Sequence, residues 1–132
     1  MIYVDSCAVI KLIRREEHTA ALKAHLASSG VEMVSSELTK VEVCRTLIRD
    51  GQREARREVT DSLLASIAKL PIETVVDIAA DIEDPTLRAL DSLHLATAQM
   101  LGPAVTEFIT YDRRLAKVAT KAGLPLTMPG VT

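Results

Sequence analysis

Apolar residues along the chain fall into two recurring patterns, short continuous runs and longer stretches with a helical period. The short β-prone runs predict strands at residues 2–4, 31–34, 71–74, 106–110 and 125–127. The stretches with apolar residues every three to four positions predict helices near residues 9–17, 18–28, 37–50, 52–69, 75–83, 86–101 and 113–122. Short strands that alternate with helices are typical of a parallel sheet covered by helices on both faces. The sequence therefore predicts an α/β fold, a three-layer α/β/α sandwich around a parallel sheet of four to five strands.

Boundary residues agree with this division. Ser35 and Ser36 are good N-caps for the helix predicted at 37–50, and Gly51 is expected to end it. Pro71 is expected to close the helix predicted at 52–69. No repeat, low-complexity tract or linker interrupts the pattern, so residues 1–132 are interpreted as one domain.

The net charge and the aromatic content limit the classes of protein to which this chain can belong. The net charge is −2, which gives no overall basic field for nucleic acid, and the only aromatic residues are Tyr3, Phe108 and Tyr111. So few rings argue against a protein that binds single-stranded bases by stacking. Charge is nevertheless uneven: arginines 45, 49, 53, 56 and 57 cluster in mid-chain, and acidic residues 77, 81, 83 and 84 cluster later. Solvated helix faces explain both clusters as well as functional surfaces do.

The cysteine pattern and the absence of long apolar runs indicate the cellular compartment of the protein. Cys7 and Cys44 are the only cysteines and lack CxxC spacing, which argues against a zinc site or a disulfide framework. Asp5, Lys11 and Arg14 interrupt any signal-peptide pattern near residue 1. No apolar stretch approaches the ~20 residues of a membrane span. We therefore expect a cytoplasmic protein with no membrane association.

Two acidic residues follow predicted strands. Asp5 and Asp112 should lie at the carboxyl-end edge of the sheet, where sites form in parallel α/β folds. Asp is also a favoured N-cap, so helix capping explains both positions equally well. Glu42 likewise has an ordinary interpretation, since it can complete a capping box with Thr39 or pair with Arg45.

Asp91 is harder to explain by local structure. At about 100° per residue, one face of the helix at 86–101 carries His94 at its middle, Asp91 at its edge, and Leu87, Leu90, Ala98 and Leu101 around them. A carboxylate among apolar neighbours is costly unless something satisfies it. A contact with His94 is one solution, and a cation is the other.

Carboxylates that converge without basic partners repel one another, and a divalent cation relieves that repulsion. All-oxygen ligands suit Mg²⁺ or Mn²⁺, and such ions support phosphoryl chemistry. The residues alone thus indicate a possible acidic metal site.

Four strings in the sequence resemble those of PIN-domain proteins. They are Met1-Ile-Tyr-Val-Asp5-Ser6, the segment 35–43 with Val41-Glu42-Val43, the segment 87–98 with Asp91-Ser-Leu-His94, and Ile109-Thr110-Tyr-Asp112-Arg113-Arg-Leu115. The last two strings are the most specific, and all four occur in the family's order over residues 1–115. Together with the chain length, the set resembles the VapC-type toxins of toxin–antitoxin pairs. Cys7 stands where the family more often has another small residue.

The resemblance implies roles for particular residues. Asp5, Glu42, Asp91 and Asp112 would be the catalytic residues and would bind one or two Mg²⁺ or Mn²⁺ ions. Ser6 and Thr110 would support these ligands through hydrogen bonds. His94 would be structural or orienting and not a ligand. The implied reaction is endonucleolytic cleavage of single-stranded RNA by an in-line water, which leaves a 5′-phosphate and a 3′-hydroxyl.

The resemblance also implies partners. Such toxins generally form homodimers, and a cognate antitoxin would lay a peptide across the acidic cleft and insert a basic residue among the carboxylates. Arg45 and Arg49 share the helix side of Glu42. They are therefore open to contact with RNA, with the antitoxin, or with neither.

Three other functions are less consistent with the sequence than a nuclease. A haloacid-dehalogenase-type phosphatase needs an acid two residues after its first Asp, where this chain has Cys7. A phosphoreceiver domain needs an Asp after its mid-chain strand, where this chain has Ser35 and Ser36. The serious alternative is a non-catalytic PIN-like binding or regulatory module, against which the retention of all four acids counts.

Overall fold

A computed structural model describes all 132 residues, which form five strands and seven α-helices. The strands are β1 (Ile2–Val4), β2 (Met33–Ser36), β3 (Ala68–Leu70), β4 (Glu107–Ile109) and β5 (Leu126–Thr127). The helices are α1 (Ser6–Ile13), α2 (Thr19–Ser29), α3 (Leu38–Arg49), α4 (Arg57–Ser66), α5 (Val76–Ala80), α6 (Ala89–Leu101) and α7 (Arg113–Lys121). Short 3₁₀ turns occupy residues 72–74 and 102–104.

The strands form one sheet in the order β3-β2-β1-β4-β5, and every neighbouring pair is parallel. The central strand is β1, in which Tyr3 lies opposite Val34 of β2 and Phe108 of β4. Because all strands run the same way, their carboxyl ends lie along one edge of the sheet. The prediction of an α/β fold with a parallel sheet is confirmed, with five strands.

Two apolar layers cover the two faces of the sheet. Successive strand residues point to opposite faces, so Ile2 and Val4 pack on one side and Tyr3 packs on the other. The first side holds residues from α1 to α4, including Val9, Leu22, Val43, Leu47 and Leu64. The second side holds residues from α6 and α7, including Leu95, Ala98, Leu115 and Val118. The predicted three-layer sandwich is therefore confirmed.

The strand predicted at 71–74 is wrong, and so is the helix predicted over the whole of 52–69. The helix α4 covers only Arg57–Ser66, and β3 occupies Ala68–Leu70 inside the predicted helical stretch. Pairing with β2 sets this register, since Lys69 lies opposite Ser35 and Leu70 opposite Ser36. Pro71 lacks an amide hydrogen for the ladder, so the strand ends before it.

Ser35 and Ser36 belong to β2, which corrects both the strand predicted at 31–34 and the predicted N-caps. The Ser35 hydroxyl donates to the Val4 carbonyl oxygen at 2.6 Å, which ties β2 to β1. Ser36 Oγ still accepts a hydrogen bond from the Leu38 amide at 3.1 Å, close to the start of α3. The helix predicted at 86–101 begins at Ala89, because the Asp84 side chain holds Thr86 in a turn.

None of the helices combines the length and the apolar character that crossing a bilayer requires.

Candidate active site

An acidic cleft of about 670 Å³ lies between α3 of one layer and α6 of the other. The cleft opens over the carboxyl ends of the central strands, because Asp5 directly follows β1 and Asp112 comes soon after β4. Its lining includes all four predicted acids, Asp5, Glu42, Asp91 and Asp112. Residues that are up to 107 positions apart in the sequence are thus brought to one cavity by the parallel sheet.

Asp5 is 3% exposed and is held from three directions. Its Oδ1 accepts from the Ala8 amide at 3.0 Å, so the capping interpretation of this residue is correct. Its Oδ2 accepts from the Thr110 hydroxyl at 2.5 Å. Burial raises the pKa of this carboxyl, although the nearby His94 and the hydrogen bond from Thr110 act in the opposite direction. Asp5 is therefore a fixed group that favours a nearby positive charge.

Asp112 also caps a helix, but it does so with only one of its oxygens. Oδ1 accepts from the amides of Arg114 at 2.9 Å and Leu115 at 3.1 Å, at the start of α7. Oδ2 has no hydrogen-bond partner in the protein. The capping role thus fixes the carboxylate and leaves one oxygen available.

Glu42 reaches across the sheet edge to the opposite layer. Its Oε1 accepts from the Ser6 hydroxyl at 2.7 Å and lies 2.7 Å from Nε2 of His94 on α6. The capping box with Thr39 and the pair with Arg45 are both absent, and Thr39 is bound to Ser35 instead. Burial alone would raise the pKa of Glu42, but the hydrogen bonds and charge of His94 and the hydrogen bond from Ser6 outweigh it, so the pKa is lowered.

Asp91 is half-buried in the first turn of α6 and makes no hydrogen bond or ion pair within the protein. Burial raises its pKa, and repulsion from Asp112, Asp5 and Glu42 raises it further. The expected contact with His94 is not formed, since both ring nitrogens of His94 have other partners. Leu90 is 48% exposed and lines the cleft, which corrects its predicted place on the apolar face.

Four carboxylate oxygens in the cleft lack a protein donor. Two belong to Asp91, one to Asp112 and one to Glu42, because the bonded oxygens are Oδ1 of Asp112 and Oε1 of Glu42. As they stand, no three acidic, histidine or cysteine side chains form a ready metal-binding group. The donors nevertheless fit a hard divalent cation in kind, since all are carboxylate oxygens and Asp91 has no competing partner.

Basic side chains flank the acids. Arg49 and Arg88 line the cleft, and Arg88 makes no ion pair. Arg45 lies outside the lining, because at about 100° per residue positions 46 and 49 share the direction of Glu42 on α3 more closely. Sequence reasoning missed Arg88, although its place three residues before Asp91 is a usable signal.

A buried relay behind Glu42 was also missed. The Tyr3 hydroxyl lies 2.8 Å from Nδ1 of His94, whose Nε2 contacts Glu42. Burial raises the pKa of Tyr3 far above its usual range, so its hydroxyl keeps its proton. Nε2 of His94 donates to Glu42, and Nδ1 either accepts from the Tyr3 hydroxyl in the neutral ring or donates to it in the charged ring, so His94 links the two residues in either state. A tyrosine within a buried strand was the available signal, because its hydroxyl needs a partner.

Cys7 forms part of the cleft wall. Its Sγ lies 3.0 Å from Oδ1 and 3.2 Å from Oδ2 of Asp5. Burial and the nearby Asp5 raise the pKa of the thiol far above its usual range, so the thiol is a donor to that carboxylate. Cys7 also accepts a hydrogen bond from the Tyr111 amide at 3.3 Å.

Replacing Tyr3 by phenylalanine is expected to lower the free energy of unfolding by about 1–2 kcal/mol, because Nδ1 of buried His94 loses its partner. The matched control is Tyr111→Phe, which removes a hydroxyl bound to the Pro129 carbonyl oxygen outside the relay. Urea unfolding and the ¹⁵N shifts of the His94 ring provide the measurement. Unchanged ring shifts in Tyr3→Phe would contradict the relay.

Comparisons with known proteins place these observations in a family. The model of the PIN domain family matches residues 2–121. Ribonuclease VapC47 of Mycobacterium tuberculosis (strain CDC 1551 / Oshkosh) is 36% identical over 134 residues, with 98% of each chain covered. Ribonuclease VapC46 of Mycobacterium tuberculosis (strain ATCC 25618 / H37Rv) is 37% identical, with 97% of each chain covered.

A solved structure is similar in fold. A chain of a toxin–antitoxin complex from Klebsiella pneumoniae superposes with a TM-score of 0.62 at 21% identity. The match covers 85% of this chain and 87% of that one. At this level of identity the likeness concerns the fold alone.

Proposed function

This chain belongs to the VapC-type group of the PIN domain family, and on that premise we propose that it is a toxin with metal-dependent endoribonuclease activity. The substrate is single-stranded RNA, and hydrolysis leaves a 5′-phosphate and a 3′-hydroxyl. The observation that carries the proposal is the convergence of Asp5, Glu42, Asp91 and Asp112 on one cleft. The relatives named as ribonucleases support the reaction class.

The carboxylates divide into fixed and open groups. Asp5 is fixed by Thr110, Cys7 and the start of α1, whereas Asp91 has both oxygens open. These two residues, with Glu42 and Asp112, would hold Mg²⁺ or Mn²⁺. When bound, the cation supplies Lewis-acid stabilisation of the phosphate charge and makes the attacking water more acidic.

Cations at the cleft wall would bind the RNA. Arg49 and Arg88 lie beside the acids, and guanidinium groups match phosphate oxygens in geometry and charge. We assign them to the phosphates on either side of the scissile bond. In that position they hold a polyanion against a wall of carboxylates, which would otherwise repel it.

The proposal includes protein partners. A cognate antitoxin would insert a basic side chain among the open oxygens of Asp91, Asp112 and Glu42, since these oxygens have no protein donor. The fold likeness to a chain in a toxin–antitoxin complex supports such a partner. A homodimer is proposed from family membership, as is neutralisation of cleavage by the antitoxin.

Cleavage of labelled total RNA tests the function. We expect discrete products with Mg²⁺ or Mn²⁺ and none with EDTA, because the carboxylates alone repel the phosphate. Denaturing gels with a 5′ label measure the products and identify their ends. Intact RNA from folded protein that binds Mn²⁺ would instead favour the non-catalytic PIN-like module.

A further inference from the structure

A second polar cavity, of about 410 Å³, shares no lining residue with the acidic cleft. Three elements and the α3–α4 connection supply its charged walls: Lys40 from α3, Arg53 from the connection, Arg57 and Asp61 from α4, and Lys69 from β3. Lys40 and Glu42 are two residues apart on α3, so at about 100° per residue they project to nearly opposite sides. We refer to this cavity as the basic cavity.

The charge of the basic cavity is opposite to that of the chain. It gathers four of the 16 lysine and arginine side chains but only one of the 18 acidic ones, in a protein of net charge −2. Such a concentration of one sign in a concave surface raises the local concentration of anions. The cavity therefore provides an electrostatically favourable environment for a negatively charged group.

A buried donor of Arg53 supports anion binding independently of the charge of the cavity. Its Nη1 is the one buried side-chain nitrogen or oxygen that has no hydrogen-bond partner in the protein. Its Nη2 lies 3.6 Å from Oδ1 of Asp61, beyond ordinary hydrogen-bond length. A buried donor without a partner costs about 1–3 kcal/mol, and more when it is charged. The donor capacity of Arg53 thus exceeds what its protein neighbours accept.

The other cations are held at the cavity wall in different ways. Lys69 donates to the carbonyl oxygens of Leu64 and Ile67, which fixes its ammonium at the end of α4. Arg57 pairs with Glu54. Lys40 is exposed and makes no ion pair. A planar guanidinium combined with ammonium point charges is the donor set that phosphate oxygens favour.

We propose that the basic cavity binds a backbone phosphate of the RNA, at a nucleotide away from the scissile bond. This inference rests on the proposed ribonuclease function. The helix that separates the two cavities is about 18 Å long and about 10 Å in diameter, so a single strand needs only a few nucleotides to pass around it. The basic cavity then selects substrates that extend beyond the cleft.

RNA affinity in the presence of EDTA tests the inference, because RNA then binds without cleavage. The test variant is Lys40→Ala with Arg57→Ala, and the matched control is Lys23→Ala with Arg15→Ala, which removes the same charge from exposed residues elsewhere. Fluorescence anisotropy of a labelled single-stranded 15-nucleotide RNA is measured over a range of salt concentrations. Each lost phosphate contact should reduce the salt slope by about 0.7, so the test variant, which loses one phosphate site, should lose about 0.7 and the control far less. Equal slopes in the two variants would overturn the proposal.

Inorganic phosphate distinguishes a backbone phosphate from a free anion. A saturable shift of the Arg53 Nε–H signal on addition of phosphate, lost in Lys40→Ala/Arg57→Ala, supports the anion site. If phosphate does not shift the Arg53 signal in the unmodified protein, the anion site is overturned. If phosphate shifts the signal but the salt slope of RNA binding is the same in the test variant as in the unmodified protein, the proposal that the bound anion is an RNA phosphate is overturned. Absence of metal-dependent cleavage together with a phosphate-induced Arg53 shift would contradict the proposed ribonuclease function but not the anion site.

Discussion

Replacing Asp91 by asparagine is expected to reduce RNA cleavage by about 10³-fold or more, with no loss of folding. Asp91 supplies two of the four open carboxylate oxygens in the cleft, and an amide is a poor ligand for a hard cation. Initial rates of cleavage at saturating Mn²⁺ provide the measurement. The matched control is Asp77→Asn on α5, which makes the same change of charge at an exposed residue outside the cleft.

The same Asp91→Asn variant is expected to be more stable than the unmodified protein in EDTA. Burial and three neighbouring acids raise the pKa of Asp91, so the folded state binds this proton more tightly than the unfolded chain does. Stability is therefore lost as pH rises from the unfolded pKa through the folded one, and Asp91 is unfavourable at neutral pH. Because the group is half-exposed, the gain in the free energy of unfolding is up to about 1 kcal/mol. Full cleavage by this variant, or a marked loss of stability, would show that Asp91 has a purely structural role.

Replacing His94 by alanine is expected to lower the free energy of unfolding by about 3 kcal/mol and to weaken Mn²⁺ binding by about 10- to 100-fold. His94 is 1% exposed, and its removal leaves a cavity and deprives both Glu42 and Tyr3 of their partner. Without that partner, Glu42 is held only by Ser6. Urea unfolding and calorimetric Mn²⁺ titration of the folded protein measure the two effects.

The Leu95→Ala variant distinguishes the loss of core packing from the loss of the positioning of Glu42 by His94. Leu95→Ala removes a side chain that is equally buried on the same helix, and it should cost a similar free energy of unfolding. It leaves the relay intact, so Mn²⁺ affinity should change less than threefold, well below the effect expected for His94. Equal weakening of Mn²⁺ binding by the two variants would refute the positioning role of His94. His94→Gln, which can still reach Glu42, should recover part of the affinity.

Local signals in the sequence predicted the architecture and singled out three acids of the cleft, whereas Glu42 was assigned a role only through the resemblance to PIN-domain proteins. Alternating strands and helices indicated a parallel sheet, and Asp5 and Asp112 were found because each follows a strand. Asp91 was found because a carboxylate on an apolar helix face needs an explanation. The chemical roles of these residues stay predictions, whereas the sheet and its two helical layers are confirmed.

The features that sequence reasoning missed depend on contacts between distant segments. The register of β3 is set by pairing with β2, which overrides the helical pattern that runs towards Pro71. The relay from Tyr3 to Glu42 joins β1, α6 and α3, one element from each of the three layers, so no local window contains it. Arg88 lies three residues before Asp91, but only the fold shows that its side chain lines the cleft opposite α3.

The placement of β1 at the centre of the sheet bears on synthesis of the protein. Asp5 is synthesised 105 residues before its partner Thr110, which directly follows β4. A nascent chain that lacks β4 and α7 therefore contains both helices that border the cleft, α3 and α6, but neither Thr110 nor Asp112. The four carboxylates proposed as metal ligands consequently come together only after β4 and the start of α7 have been synthesised.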